Sequence, residues 1–302
     1  MKSLRYAYYP GCVAQGACRE LYVATDAVAR HLGIDLVELK QAACCGSGTF
    51  KEESTLLEDT VNARNLALAE ALNLPLLTHC STCQGVLGRV NERLQAALHG
   101  DPAYVQRVNG LCEKAGCQER YQGTAEVRHL LWVIVQDYGL ERLQARVKQP
   151  LTGLKCAAFY GCYLLRGHTI TAYDDPTHPT AMERLFTALG ATPVEYPGRT
   201  QCCGWPISSY AAETSFRLAG SHLQAALAAG ADCMVTPCPL CHLNLDSRQP
   251  DVEHVLGQSL GLPILHLPQL IGLALGIPPK ALGLNRHVVA TTALLSHAGI
   301  PG

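Results

Sequence analysis

Ten of the fifteen cysteines in this 302-residue chain fall into two copies of one pattern, and nothing else in the sequence constrains the fold as strongly. Each copy has a lone Cys, an adjacent Cys-Cys-Gly and a Cys-x-x-Cys. The first is Cys12, Cys44-Cys45-Gly46 and Cys80-Ser81-Thr82-Cys83; the second is Cys162, Cys202-Cys203-Gly204 and Cys238-Pro239-Leu240-Cys241. In both copies 34 residues separate the pair from the Cys-x-x-Cys, and 31 and 39 separate the lone Cys from the pair. Such matching marks an internal duplication. The halves are expected at 1–150 and 151–302, with the join near Lys148 to Leu154, where Gln149-Pro150 and Gly153 punctuate the chain.

Each half reads as short apolar strands alternating with longer amphipathic helices, the pattern of a parallel α/β sheet. Strands are expected from Leu4 to Tyr9, Asp35 to Leu39 and Leu74 to Thr78, and again from Ala157 to Tyr160, Thr192 to Tyr196 and Cys233 to Thr236. Helices are expected from Glu20 to Leu32, where Gly33 stops the run, and from about Ser54 to Leu72, Thr180 to Leu189 and Ala211 to Ala229. A fourth strand-helix unit closes each half, beginning at Val127 and at Ile264. The expected fold is therefore α/β: two pseudo-symmetric halves, each a small parallel-sheet βα unit with its cysteine loops at the carboxyl edge of the strands, where open parallel sheets gather ligands.

Between Cys83 and His129 lie 45 residues, against 24 between Cys241 and His266, so the first half carries an insertion of 21 near positions 99–123. It holds Cys112 and Cys117, with His99 close by. Two soft ligands are too few for the four that zinc prefers, so these read as free thiols. Cys156 and Cys233, at or inside strands, read as small buried hydrophobes, and Cys18 as a spare thiol near the first set.

Net charge is −1 and no basic run exists, which excludes an electrostatic footprint for nucleic acid or an anionic membrane. Only 16% of residues are charged, a hint that a partner covers part of the surface. The N-terminal MKSLRYAYYPGC has no apolar targeting region, so a cytoplasmic location is expected, and there fifteen cysteines read as metal-binding or catalytic rather than disulfide-forming. The apolar tract from Gly261 to Gly276 is too short and too interrupted for a transmembrane segment.

Thiolates suit zinc and iron-sulfur clusters alike. Structural zinc is satisfied by four ligands, whereas each half offers five, two of them adjacent and better placed to reach different irons of one centre. That favours a multi-iron centre, although the ferredoxin run of closely spaced cysteines is absent. Zinc in one half, or a zinc-bound structural module without a redox role, remains an alternative.

The two sets resemble the duplicated cysteine-rich CCG domain of the heterodisulfide-reductase-B family, a domain also found in type-E succinate dehydrogenases and in related lactate or glycolate oxidase subunits. The resemblance covers essentially the whole chain. It implies two noncubane [4Fe-4S] clusters, one on Cys12, Cys44, Cys45, Cys80 and Cys83, the other on Cys162, Cys202, Cys203, Cys238 and Cys241. It further implies an oxidoreductase subunit that delivers electrons to a small disulfide or, alternatively, passes them to quinone within a succinate-dehydrogenase-type complex, peripheral at the membrane through a partner.

Two one-electron centres facing a common cleft suit the two-electron reduction of a disulfide. His79, beside Cys80, and His242, beside Cys241, are the nearest proton-donor candidates in sequence. Gly46 and Gly204 are expected at positive φ close to the metal. Trp205 is a candidate for shaping a cleft, and Tyr9, Phe159 and Tyr160 for shielding the centres. The segment from Gly46 to Lys51 lacks the glycine pattern of a dinucleotide site and the Gly-Lys-Ser/Thr of a phosphate loop. With no flavin or nicotinamide site visible, electrons must come from other polypeptides, expected to be a ferredoxin-like iron-sulfur subunit and a flavoprotein.

Overall fold

A computed structural model describes residues 4–166 and 173–301. Strands β1 (Leu4–Tyr9), β2 (Ile34–Glu38), β3 (Leu76–Thr78) and β4 (Val127–His129) form one sheet in the order β2-β1-β3-β4. Strands β5 (Lys155–Ala158), β6 (Thr192–Val194), β7 (Cys233–Thr236) and β8 (Ile264–His266) form a second in the order β6-β5-β7-β8. Every pairing is parallel. The registers correspond as well: Ala7 pairs with Leu76 as Ala157 pairs with Met234. The duplication read from the cysteines is thus a duplication of topology.

Strand β5 ends two residues earlier than its apolar run suggests: Phe159 still donates its N–H to the Val235 carbonyl of β7, but the Tyr160 N–H turns to the Arg199 carbonyl, both at 2.9 Å. The helix Arg19–Leu32 buries Leu21, Ala24, Val28 and Leu32 along one stripe and stops at Gly33, whose φ of +71° lets its N–H reach the Ala29 and Arg30 carbonyls. Helix Thr55–Ala71 is capped by Ser54, whose side chain accepts from the Leu57 N–H.

The insertion is not loose chain. Its helix Pro102–Lys114 begins with Asp101 as cap and Pro102 in the first turn. It packs onto helices Thr55–Ala71 and Ser81–Gly100, with the Tyr104 hydroxyl donating to Asp59 at 2.7 Å and Tyr121 to Asn91 at 2.7 Å. Glu58 and Asp59 are fully buried there, and Arg89 and Arg93 neutralise them. Cys112 Sγ lies 3.1 Å from the Thr60 carbonyl, while His99 is exposed. Among the described residues no third ligand joins Cys112 and Cys117.

One apolar core runs across both halves, with Trp132 and Val133 from the first packing in the same cluster as Leu185, Phe186, Leu270 and Ile271 from the second. Each such side chain contributes about 1.5–3 kcal/mol when fully buried, so separating the halves is costly. Cys156 and Cys233 are fully buried with their sulfurs 3.6 Å apart, and they pack as the sequence implies. The apolar C-terminal tract forms β8 and the buried helix Leu267–Ala274. Among the described residues no helix is long and apolar enough to cross a membrane.

Candidate metal centre

In a sheet ordered β2-β1-β3-β4 the chain leaves β1 to one side and returns to β3 on the other, so the loops leaving β1 and β3 diverge and open a crevice at their carboxyl ends. Cys12 follows β1 and Cys80 follows β3, which places them on the two walls, and the Cys44-Cys45 loop after β2 closes the side. The second half repeats this with Cys162 after β5, Cys238 after β7 and Cys202-Cys203 after β6.

The five thiols of each half converge. Cys12 Sγ is 3.2 Å from Cys44 Sγ, Cys45 Sγ is 3.5 Å from Cys83 Sγ, and the Cys83 N–H points at Cys80 Sγ at 3.4 Å. In each half the second cysteine of the pair and both of the Cys-x-x-Cys are buried, whereas Cys12 and Cys44 are exposed and Cys162 and Cys202 half-buried. Three deep sulfurs and two facing outward make the same cup twice.

The thiols perturb one another accordingly. Hydrogen bonds from Cys12, from Cys45 and from the Gly46 N–H hold Cys44 well below the usual thiol range; Cys162, Cys203 and the Gly204 N–H do the same to Cys202. The donors rise in turn, with Cys12 and Cys162 pushed up by Cys44 and Cys202. Cys45 is pushed up to about 12, chiefly by Cys44. Across the halves the two sets also perturb each other, Cys238 raising Cys80 while Cys241 and then Cys80 lower Cys238. Sulfurs whose main partners are other sulfurs, sharing protons among themselves, are a donor set suited to a soft multivalent cation that displaces those protons.

The backbone is shaped to the same end. A Cβ added to Gly11 would stand 3.1 Å from Cys83 Sγ, and one added to Gly161 would stand 3.1 Å from Cys241 Sγ. Gly46 and Gly204 have φ of +82° and +92°, as expected, and a Cβ there would strike the Phe50 ring and the Ser215 carbonyl. The N–H groups of Gly46 and Gly204 lie 3.4 Å from Cys44 Sγ and Cys202 Sγ.

One cavity lies over the first set and another over the second. They meet at Ser47, Thr82, Trp205 and Leu240, which line both. Trp205 thus shapes the cleft. Ser47, Thr82 and Leu240 carry no pattern that would have singled them out. Thr82 is the closest link, its hydroxyl 3.5 Å from Cys238 Sγ, and the neighbouring Ser81 hydroxyl donates to the Pro237 carbonyl at 3.0 Å.

Three asparagines escaped the sequence reading altogether. Asn62 donates to the Cys45 carbonyl at 3.2 Å and Asn244 to the Cys203 carbonyl at 2.6 Å, while Asn65 brackets Ala43. Asn62 lies on the helix after the Cys-Cys-Gly loop, Asn244 on the turn after the Cys-x-x-Cys. The halves anchor equivalent carbonyls from non-equivalent places, so no repeat betrays them.

The two histidines are committed away from the cysteines. His79 lies 2.9 Å from the Tyr8 hydroxyl and 2.7 Å from Thr25 through Nδ1, and 3.0 Å from the Pro10 carbonyl through Nε2; burial lowers its pKa to about 3. His242 Nε2 lies 3.1 Å from the Ile264 carbonyl and its ring stacks on His266. Neither lines the two cavities. Cys18, six residues after Cys12, lies with its sulfur 3.8 Å from the Pro239 carbonyl of the second half, not beside the first set.

Comparison with known proteins agrees with this geometry. The model of the cysteine-rich domain family, CCG, matches residues 6–88 and 156–246, one range per set. The chain is 40% identical over 289 residues to the 8-methylmenaquinol:fumarate reductase membrane anchor subunit of Wolinella succinogenes, covering 96% of this chain and 98% of that one. It is 31% identical over 295 residues to the B polypeptide of the ferredoxin:CoB-CoM heterodisulfide reductase of Methanosarcina mazei, covering 97% and 96%. These relatives are subunits of oxidoreductases. In fold the chain also resembles a hypothetical protein of Helicobacter pylori, with a TM-score of 0.76 at 17% identity, covering 97% of this chain and 53% of that one. The chain therefore belongs to the CCG cysteine-rich domain family, in duplicated form.

Proposed function

We propose that this chain is an iron-sulfur electron-transfer subunit of a reductase complex, with one [4Fe-4S] cluster of the noncubane kind held by Cys12, Cys44, Cys45, Cys80 and Cys83 and a second by Cys162, Cys202, Cys203, Cys238 and Cys241. The observation that carries the reading is the pair of five-sulfur cups opening onto adjoining cavities, with the Thr82 hydroxyl of the first set 3.5 Å from Cys238 Sγ of the second. When bound, such clusters supply electrons one at a time. The chain's own residues supply the rest. Trp205 and Leu240 wall the cleft with apolar surface, Thr82 and Ser47 give it hydroxyls, and the buried cysteines keep water from the inner side.

A small disulfide placed over this cleft would face both sets, and clusters held there would supply one electron to each of its sulfurs, breaking the S–S bond to leave two thiolates. Electrons reach the chain from an iron-sulfur and a flavoprotein partner. A second reading, transfer between a fumarate- or succinate-type flavoprotein and quinone at the membrane surface, is favoured by the 40% identity to the fumarate reductase subunit. Purification of the native complex separates the two. Partners of the ferredoxin-like kind together with disulfide-dependent reoxidation support the first; a dicarboxylate-reducing flavoprotein with quinone-dependent turnover overturns it.

A further inference from the structure

A second group of ligands lies apart from the ten cysteines. Cys18 and Glu20, at the start of helix Arg19–Leu32, meet His242 and His266 of the second half, and one ligand atom from each of the four lies within 4.8 Å of the other three. All four residues are buried. We infer that Cys18, Glu20, His242 and His266 form a closed site for one divalent, zinc-like cation that ties the two halves together.

One thiolate, one carboxylate and two imidazoles are a complete tetrahedral set of the N, O and S donors that zinc takes. The charges also close. A thiolate and a carboxylate balance a divalent cation while both imidazoles stay neutral, so no net charge is buried.

An independent observation points the same way. Nδ1 of His242 and Nδ1 of His266 are buried with no hydrogen-bond partner, in an interior where such nitrogens ordinarily find one. The two rings stack with centroids 3.8 Å apart. Cys18 Sγ lies 3.8 Å from the Pro239 carbonyl, and His266 Nε2 lies 3.3 Å from Glu20 Oε1. The other Glu20 oxygen is 3.8 Å from Arg286, and the backbone of Gly283, at φ +72°, closes over the Glu20 stem.

Behind this set stands a supporting layer. His287 Nδ1 is 3.3 Å from His242 Nε2 and 3.9 Å from Asp246, and Gln269 holds the far nitrogen of His287 at 2.8 Å. The Ile264 carbonyl, 3.1 Å from His242 Nε2, takes the N–H on the far side of that ring, which orients a ligating imidazole and raises its donor strength. Among the described residues the first half has no counterpart: His129, at the position equivalent to His266, spends both ring nitrogens on the Leu131 N–H and the Pro237 carbonyl.

The test is zinc analysis and zinc-edge X-ray absorption on the anaerobically purified wild-type chain, alongside its iron and sulfide content. One zinc with a shell of one sulfur and three nitrogen or oxygen atoms is expected. Absence of zinc, or a zinc shell made of sulfur alone, overturns the inference, and the latter would place the metal in a cysteine cup instead. The variant His266→Gln should bind added zinc more weakly by at least the 10- to 100-fold that loss of outer-layer partners causes, with its iron content unchanged. Should that variant fail to fold, chelation of the wild-type chain and re-addition of zinc alone decide: recovery of the lost thermal stability supports the site, and no change on either step contradicts it.

Discussion

The hydroxyl of Thr82 lies 3.5 Å from the sulfur of Cys238, so a residue of the first Cys-x-x-Cys turn stands at the second set of thiols. Together with Ser47, Trp205 and Leu240, which line both cavities, this makes the two sets one site. Hydrogen bonds to ligand sulfur stabilise the more negative, reduced state of a cluster. Thr82→Val keeps shape and removes the donor. It is expected to lower the potential of the cluster proposed on the second set by about 40 mV, equivalent to about 1 kcal/mol for one electron, and to leave that proposed on the first nearly unchanged, as read by redox titration with electron paramagnetic resonance.

Gly46→Ala forces a side chain into positive φ and into the Phe50 ring, and Gly204→Ala into the Ser215 backbone. Backbone strain of about 1–3 kcal/mol plus overpacking of similar size is expected to empty one cup while the other stays loaded, so iron per chain falls by about half in each variant. Gly33→Ala is the control. Its φ is also positive but nothing stands within 4 Å of the new Cβ, so it costs about 1 kcal/mol in a urea titration and leaves iron content intact.

Arg93 pairs with both Glu58 and Asp59, which are fully buried between the inserted helix and its neighbours. Arg93→Met leaves Glu58 to Arg89 alone and strips Asp59 of its cation. A loss of about 3–5 kcal/mol is expected by urea unfolding, with the effect shrinking in the double variant that also carries Asp59→Asn.

His129 is fully buried, and burial lowers its pKa to about 4 in the folded chain. The unfolded chain, with the ordinary imidazole value of about 6.5, therefore binds the extra proton between these two pH values. The stability His129 contributes is present above pH 6.5 and falls away as pH drops to about 4, by about 3 kcal/mol in all, with no further loss below. In His129→Gln that part of the pH dependence should vanish from urea midpoints measured between pH 4 and 7.

Short apolar runs marked the strands β1, β3, β5 and β7, each followed by a cysteine, and matched spacing of the cysteines marked the duplication and the glycines after both pairs. Adjacency failed for the histidines. His242 is one step past Cys241 on a helix, about 100° around its axis, so it faces away from the sulfur beside it. His79 likewise turns to the Pro10 carbonyl at the strand end. Cys18 is near Cys12 in sequence but joins the second half through helix Arg19–Leu32, and Asn62 and Asn244 serve equivalent carbonyls from different elements. Contacts made between elements leave no periodic trace in the sequence.

The central claim, two sulfur-rich cups each holding a cluster, is tested most directly by iron and acid-labile sulfide analysis of the anaerobically purified chain. The account predicts about eight irons and eight sulfides per chain, the content of two four-iron clusters. Zinc bound through sulfur alone, with no acid-labile sulfide, would contradict it and leave a structural module without a redox role.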